Sequence, residues 1–172
     1  MRPPVDIGRI RALARALAEV ARDDVTLYLT GGATAVIEGW RPATLDVDIR
    51  LEPDSDEMMR RIVEAKSELD INVELASPPD FIPELPGWRE RSPFVFREGR
   101  VTVRHFDLYS QALSKIERGF TMDLDDVTSM IDAGMVDRAQ LRDLFEEIVP
   151  ALHRFPAIAA GAFRESFDRA LG

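Results

Sequence analysis

The stretch from Val25 to Leu51 constrains the fold more than any other part of the chain. Val25 to Thr30 is a short run rich in apolar, β-branched and aromatic residues that ends abruptly in Gly31-Gly32-Ala33-Thr34. An apolar run closed by a glycine pair reads as a strand turning sharply into a helix. A second apolar run follows, Leu45-Asp46-Val47-Asp48-Ile49, with two carboxylates set two residues apart. On a strand such residues share a face, while Val47 and Ile49 point the other way. Side-by-side carboxylates repel, and a cation between them relieves the repulsion. Converging carboxylates are also how hard cations such as Mg²⁺ are held for phosphoryl chemistry.

Gly31-Gly32-Ala33 followed by Asp46-x-Asp48 resembles the signature of the nucleotidyltransferase superfamily that includes DNA polymerase β. The resemblance implies that the turn holds a triphosphate and that the aspartates bind metal. It also implies an NTP substrate with Mg²⁺ or Mn²⁺, and a third carboxylate on a later strand. Glu74 is the best match for that acid, with Asn72 beside it and Asp70 competing at the strand's edge. The catalytic and metal set implied is thus Asp46, Asp48 and Glu74. The glycine turn, with Gly31, Gly32, Ala33 and Thr34, is the phosphate cradle, since glycine permits close backbone approach and a helix start offers N–H groups. An ordinary strand-to-helix turn gives the same four residues, and exposed strand acids are common on surfaces.

The helix pattern around Ser114-Lys115-Ile116-Glu117-Arg118, with Asp123 and Asp126 beyond it, carries a second resemblance. It is similar to a branch of nucleotidyltransferase-like proteins, many of them toxins of bacterial toxin–antitoxin pairs. The resemblance implies Lys115 as a catalytic, triphosphate-contacting cation and Asp126 or Asp123 as a further carboxylate in the nucleotide site. It also implies a tRNA 3′ end among the acceptors and a cognate antitoxin protein as partner. By charge alone, Lys115 is equally able to pair with Asp123 or Glu117 on a helix surface, and Asp123 reads as a cap for the next helix. A protein of this fold that has lost catalysis and serves as a binding or regulatory module is the alternative.

The remainder of the chain reads in order. Ile7, Ile10, Leu13, Leu17 and Val20 recur at helical spacing after Asp6, a candidate cap. A helix is expected from Asp54 to about Leu69, then a strand over residues 71–76 with Asn72 and Glu74 on one face. Residues 77–88 hold Pro78, Pro79, Pro83, Pro86 and Gly87, which exclude regular structure, yet Phe81, Ile82, Leu85 and Trp88 call for an ordered, buried loop. Phe94 to Val103 reads as a hairpin about Glu98-Gly99. Helices are expected over residues 108–118, 123–133, 137–150 and 159–171. The fold class is therefore α+β: a nucleotidyltransferase-like mixed sheet with flanking helices over residues 1–106, followed by a C-terminal helical bundle over 107–172, in one compact unit.

Composition narrows the function classes. The net charge of −9 disfavours indiscriminate nucleic-acid binding, which depends on surplus Lys and Arg at phosphates. The absence of cysteine excludes disulfides, thiolate zinc sites and cysteine nucleophiles. No segment has the length and apolarity of a membrane span, and a cytoplasmic location is the expectation. His105 and His153 lack the spacing of paired metal ligands and read as structural.

Overall fold

The computed structural model describes all 172 residues. The chain divides into two compact units, residues 1–77 with 92–106, and residues 78–91 with 107–172.

The first unit is α+β. Its elements are α1 (Ile7–Ala18), β1 (Val25–Thr30), α2 (Gly31–Ile37), β2 (Asp46–Glu52), α3 (Asp56–Glu68), β3 (Asn72–Leu75), β4 (Phe94–Glu98) and β5 (Val101–His105). The strands form one mixed sheet in the order β3-β2-β1-β5-β4. β1 runs antiparallel to β2 and parallel to β5, β2 is parallel to β3, and β4 and β5 form the hairpin. One sheet face is apolar: Leu27, Leu29, Val47, Ile49, Leu51, Val73, Val101 and Val103 share a core with Ile10, Leu13 and Leu17 of α1 and Met58 and Ile62 of α3. The two helices begin as the sequence dictates, since Asp6 accepts the backbone N–H of Arg9 at 3.0 Å and Ser55 Oγ that of Met58 at 3.2 Å. Alternation along β2 sends Asp46, Asp48, Arg50 and Glu52 to the face opposite this core.

The second unit is helical. A 3₁₀ turn at Pro78–Asp80 and α4 (Trp88–Arg91) precede α5 (Leu108–Arg118), α6 (Thr121–Asp132), α7 (Arg138–Ile148), a 3₁₀ turn at Val149–Arg154 and α8 (Ala160–Leu171). The proline-rich segment is ordered, with Ile82, Leu85 and Trp88 almost fully buried. It clusters with the helices rather than with the sheet, and α4 is an element the proline content concealed. Asp107 caps α5 by accepting from the N–H groups of Tyr109 and Ser110, and its carboxylate takes a fork of hydrogen bonds from Arg91 at 2.8 and 3.1 Å. Phe145 stacks with Phe163 and with Phe167 of α8, with centroids 5.0 and 4.1 Å away.

Candidate active site

Register brings the glycine turn and the acids together. In the β1–β2 pair Thr30 faces Asp48, so the residue that enters the turn lies beside the second aspartate. Gly31 has φ +57°, and a Cβ placed there would stand 3.1 Å from Asp48 Oδ2. Gly32 has no room for a side chain either, because its Cβ would meet the side chain of Thr44, with Thr44 Cβ at 2.8 Å. Thr44 is itself fixed by a two-way backbone bridge to Val5, at 2.7 and 3.0 Å, and its hydroxyl donates to the carbonyl of Asp46 at 3.0 Å. Turn, preceding loop and acid strand are thus fastened to one another by close backbone contacts.

The parallel pairing of β2 with β3 completes the acid face. Asp46 lies opposite Asn72, and Asp48 opposite Glu74. Paired residues on neighbouring strands share a face, so these four side chains occupy the corners of a square. Val47 and Val73 are buried on the other side, which confirms the register. Asn72 Nδ2 donates to Asp46 Oδ1 at 2.7 Å and to Glu74 Oε1 at 3.1 Å. Asp46 and Glu74 are exposed and Asp48 half-buried. Asp70 is not part of the square: it precedes β3 at φ 48° and pairs with Arg2 at 3.5 Å.

The acid face offers a divalent cation two carboxylates on one side of β2. No group of three or more His, Asp or Glu side chains is gathered as a metal cage. Asp46 and Asp48, two residues apart on one strand face, fit Mg²⁺ as it is ordinarily bound, by one or two carboxylates with water and substrate phosphates filling the octahedron. Glu74 shares the face, and Asn72 engages its Oε1 as it engages Asp46 Oδ1.

Thr34 and Ala33 follow the glycine pair on α2. Both are fully buried, so Ala33 presents only backbone, and the Thr34 hydroxyl donates to the carbonyl of Leu29 at 3.3 Å and lies 3.0 Å from His105 Nδ1. His105 Nε2 in turn meets Glu38 Oε1 at 2.6 Å. His105 therefore holds α2 at two points, Thr34 within the helix and Glu38 at its C-cap. Burial pushes the His105 ring below its ordinary pKa, and the Glu38 carboxylate opposes that shift.

In the helical unit, Lys115 is buried, with Nζ 2.7 Å from Asp126 Oδ2 and 3.4 Å from Asp123 Oδ1. Arg118 grips the two oxygens of Asp123 at 3.0 and 3.2 Å. Asp123 and Asp126 lie on the buried stripe of α6 with Val127 and Met130. Asp123 does not cap that helix, which starts earlier, with Phe120 at the N-cap position. Two cations and two anions thus close on each other. Glu117 is half-buried, and burial raises its carboxyl above the usual range while Arg118 lowers it.

Residues 8–155 match the model of a family described as nucleotidyltransferases of unknown function (DUF6036). The chain belongs to this family. The match spans both the glycine turn with its acid square and the Lys115–Asp126 cluster. No curated protein and no solved structure matches the chain. No helix of this nucleotidyltransferase-family protein is long and apolar enough to cross a membrane.

The residue that pattern reading undervalued is Asn72. Its side chain bonds two of the three acids, yet only the parallel register of β3 on β2 reveals it.

Proposed function

We propose that this chain transfers a nucleoside monophosphate from an NTP to a hydroxyl acceptor, with Asp46 and Asp48 as the ligands of Mg²⁺. The observation that carries this reading is the adjacency of Gly31 to Asp48, which sets a close-approach turn against the acid face. In the reaction the acceptor oxygen bonds to the α-phosphorus, the bond from that phosphorus to the β-phosphate oxygen breaks, and pyrophosphate leaves. The acceptor proton passes to Glu74, an exposed acid of the square. Mg²⁺, when bound, neutralises phosphate charge as it moves to the leaving group. At Gly31, beside Asp48, the turn would bring backbone rather than a side chain toward phosphate oxygens.

The test is transfer of label from each α-labelled NTP, with Mg²⁺, to total tRNA and to protein. Transfer with pyrophosphate release, abolished in Asp48→Ala, is the expected result. Absence of transfer with all four nucleotides, or its persistence in Asp48→Ala, would overturn the reading.

The Ser114–Arg118 pattern with Asp123 and Asp126 supports a narrower form, in which the acceptor is a tRNA 3′ end and the protein is a toxin held by a cognate antitoxin. Expression should then arrest growth, and Asp48→Ala should not. The engagement of Lys115 by two carboxylates favours the second reading, a binding module of this fold without catalysis. Calorimetry separates the two: a module of that kind takes up no NTP with Mg²⁺.

A further inference from the structure

Thr44, in the loop before β2, touches both halves of the candidate site. Its side chain stands against the glycine turn: a Cβ built on Gly32 would collide with Thr44 Oγ1 and lie 2.8 Å from Thr44 Cβ. Glycine at 32 is therefore demanded by Thr44, whereas glycine at 31 is demanded by its φ of +57° and by Asp48. The same hydroxyl donates to the carbonyl of Asp46 at 3.0 Å. One oxygen atom thus lies between the backbone of the turn and the backbone of the residue that opens the acid strand.

Thr44 is anchored from outside its loop. It exchanges both backbone hydrogen bonds with Val5, at 2.7 and 3.0 Å, in an antiparallel bridge that belongs to no strand. Val5 is fully buried in the core that α1 shares with the sheet. The chain before Val5 is tied as well, since Arg2 donates to the carbonyl of Ile71 at 3.3 Å and pairs with Asp70 at 3.5 Å. The place of the Thr44 side chain is therefore set from the close-packed core. The loop around it does not set it, for Gly39, Pro42 and Leu45 are exposed.

We propose that Thr44 is a positioning residue, a strut that fixes the distance from the glycine turn to Asp46 and Asp48. A triphosphate on the turn and a cation on the acids then meet in one geometry. This inference rests on the NTP and Mg²⁺ reading given under Proposed function and deepens it by naming the residue that couples the two. Valine is no substitute for threonine here: its second methyl group lacks the bond to Asp46 and presses on Gly32.

Thr44→Val and Thr44→Ser leave the charge of the chain unchanged, so the general attraction for Mg²⁺ and nucleotide is the same in all three chains. Calorimetry gives the Kd of each of the four NTPs with Mg²⁺ and with EDTA. Mg²⁺ should tighten binding to wild type. Thr44→Val should lose about tenfold of that tightening, an ordinary size for coupling between two sites, while its Kd in EDTA stays within about twofold of wild type. Thr44→Ser keeps the hydroxyl and should behave as wild type. Thr44→Ala removes the hydroxyl without adding bulk and should show the same loss, which keeps the test decisive if Thr44→Val does not fold. A Thr44 that only supports the fold would lower the unfolding midpoint of these variants and leave the effect of Mg²⁺ intact. Undiminished tightening in Thr44→Val or Thr44→Ala overturns the proposal, and so does an equal loss in Thr44→Ser. Wild type that takes up no NTP in either condition instead removes the functional reading, and the strut with it.

Discussion

At the residue scale, the glycine turn is where local geometry has the least slack. Gly32 abuts Thr44, and a methyl group there has to displace a side chain whose backbone is tied to Val5 on both sides. Gly32→Ala should therefore cost about 1–3 kcal/mol, the usual range for overpacking a fixed neighbour. Urea denaturation measures it. Thr44→Ala added to Gly32→Ala should recover only part of the loss, because it clears the hydroxyl but leaves Cβ 2.8 Å away. His105 carries a second prediction. Its pKa is lowered in the folded protein, mainly by burial, with Glu38 and the Thr34 hydroxyl as its polar neighbours. Below the ordinary value near 6.5 the unfolded chain takes up a proton that the folded chain refuses. The folded state thus has its full stability from this group above about pH 6.5 and loses it as pH falls toward the lowered value, by at most ~1.4 kcal/mol per pH unit. Unfolding curves from pH 7.5 to 5 should show that slope in wild type and a flatter one in His105→Gln.

At the element scale, α5 and α6 are joined by charges sealed from water. Lys115, Asp123 and Asp126 are each less than a tenth exposed, so the pairing is not a surface salt bridge of small value. Removing one partner of such a pair strands the other, which costs ~3–5 kcal/mol. Lys115→Met should destabilise by that order, and Lys115→Met with Asp126→Leu should regain most of it, because no buried charge is then left unmatched. Thermal and urea unfolding of the three chains decide this. Were Lys115 held only for a phosphate, its loss would leave stability unchanged. The elements also show what pattern alone makes legible. β1, the turn and β2 follow from their apolar alternation and the glycine pair, and α5 from its spacing up to Gly119. Asp123 looked like a cap because it stands at the head of a polar run, but α6 begins at Thr121 and spends that acid on Lys115 and Arg118. The spacing Asp123, Asp126, Val127, Met130 is a helical stripe, and it held the signal that both acids face inward. Asn72 was opaque for a different reason: which strand a short segment pairs with, and in what register, is decided by tertiary contacts and not by its own four residues.

At the scale of the whole molecule, the two units are not two consecutive lengths of chain. The chain leaves the sheet unit after Ser77, returns at Ser92, and leaves it again after Phe106. Composition shifts from mixed to helical at Asp107, so a cut there is what the sequence suggests, but such a cut divides the helical unit instead of separating it. Pro78–Arg91 would stay behind without the helices it clusters with. Arg91 would lose the carboxylate of Asp107, and the buried Ile82, Leu85 and Trp88 would lose their surroundings in the helical unit. Burying side chains of this size contributes about 1.5–3 kcal/mol each, a large share of the stability of a small domain. A chain ending at Phe106 should therefore bind the dye ANS and unfold without a sharp transition. Its tryptophan emission should shift to the red, since Trp88 is 1% exposed in the full protein. A chain that ends at Phe106 and also has residues 78–91 replaced by a short glycine–serine linker should bind less dye than the simple truncation. Equal dye binding by the two would show that Pro78–Arg91 belongs with the sheet.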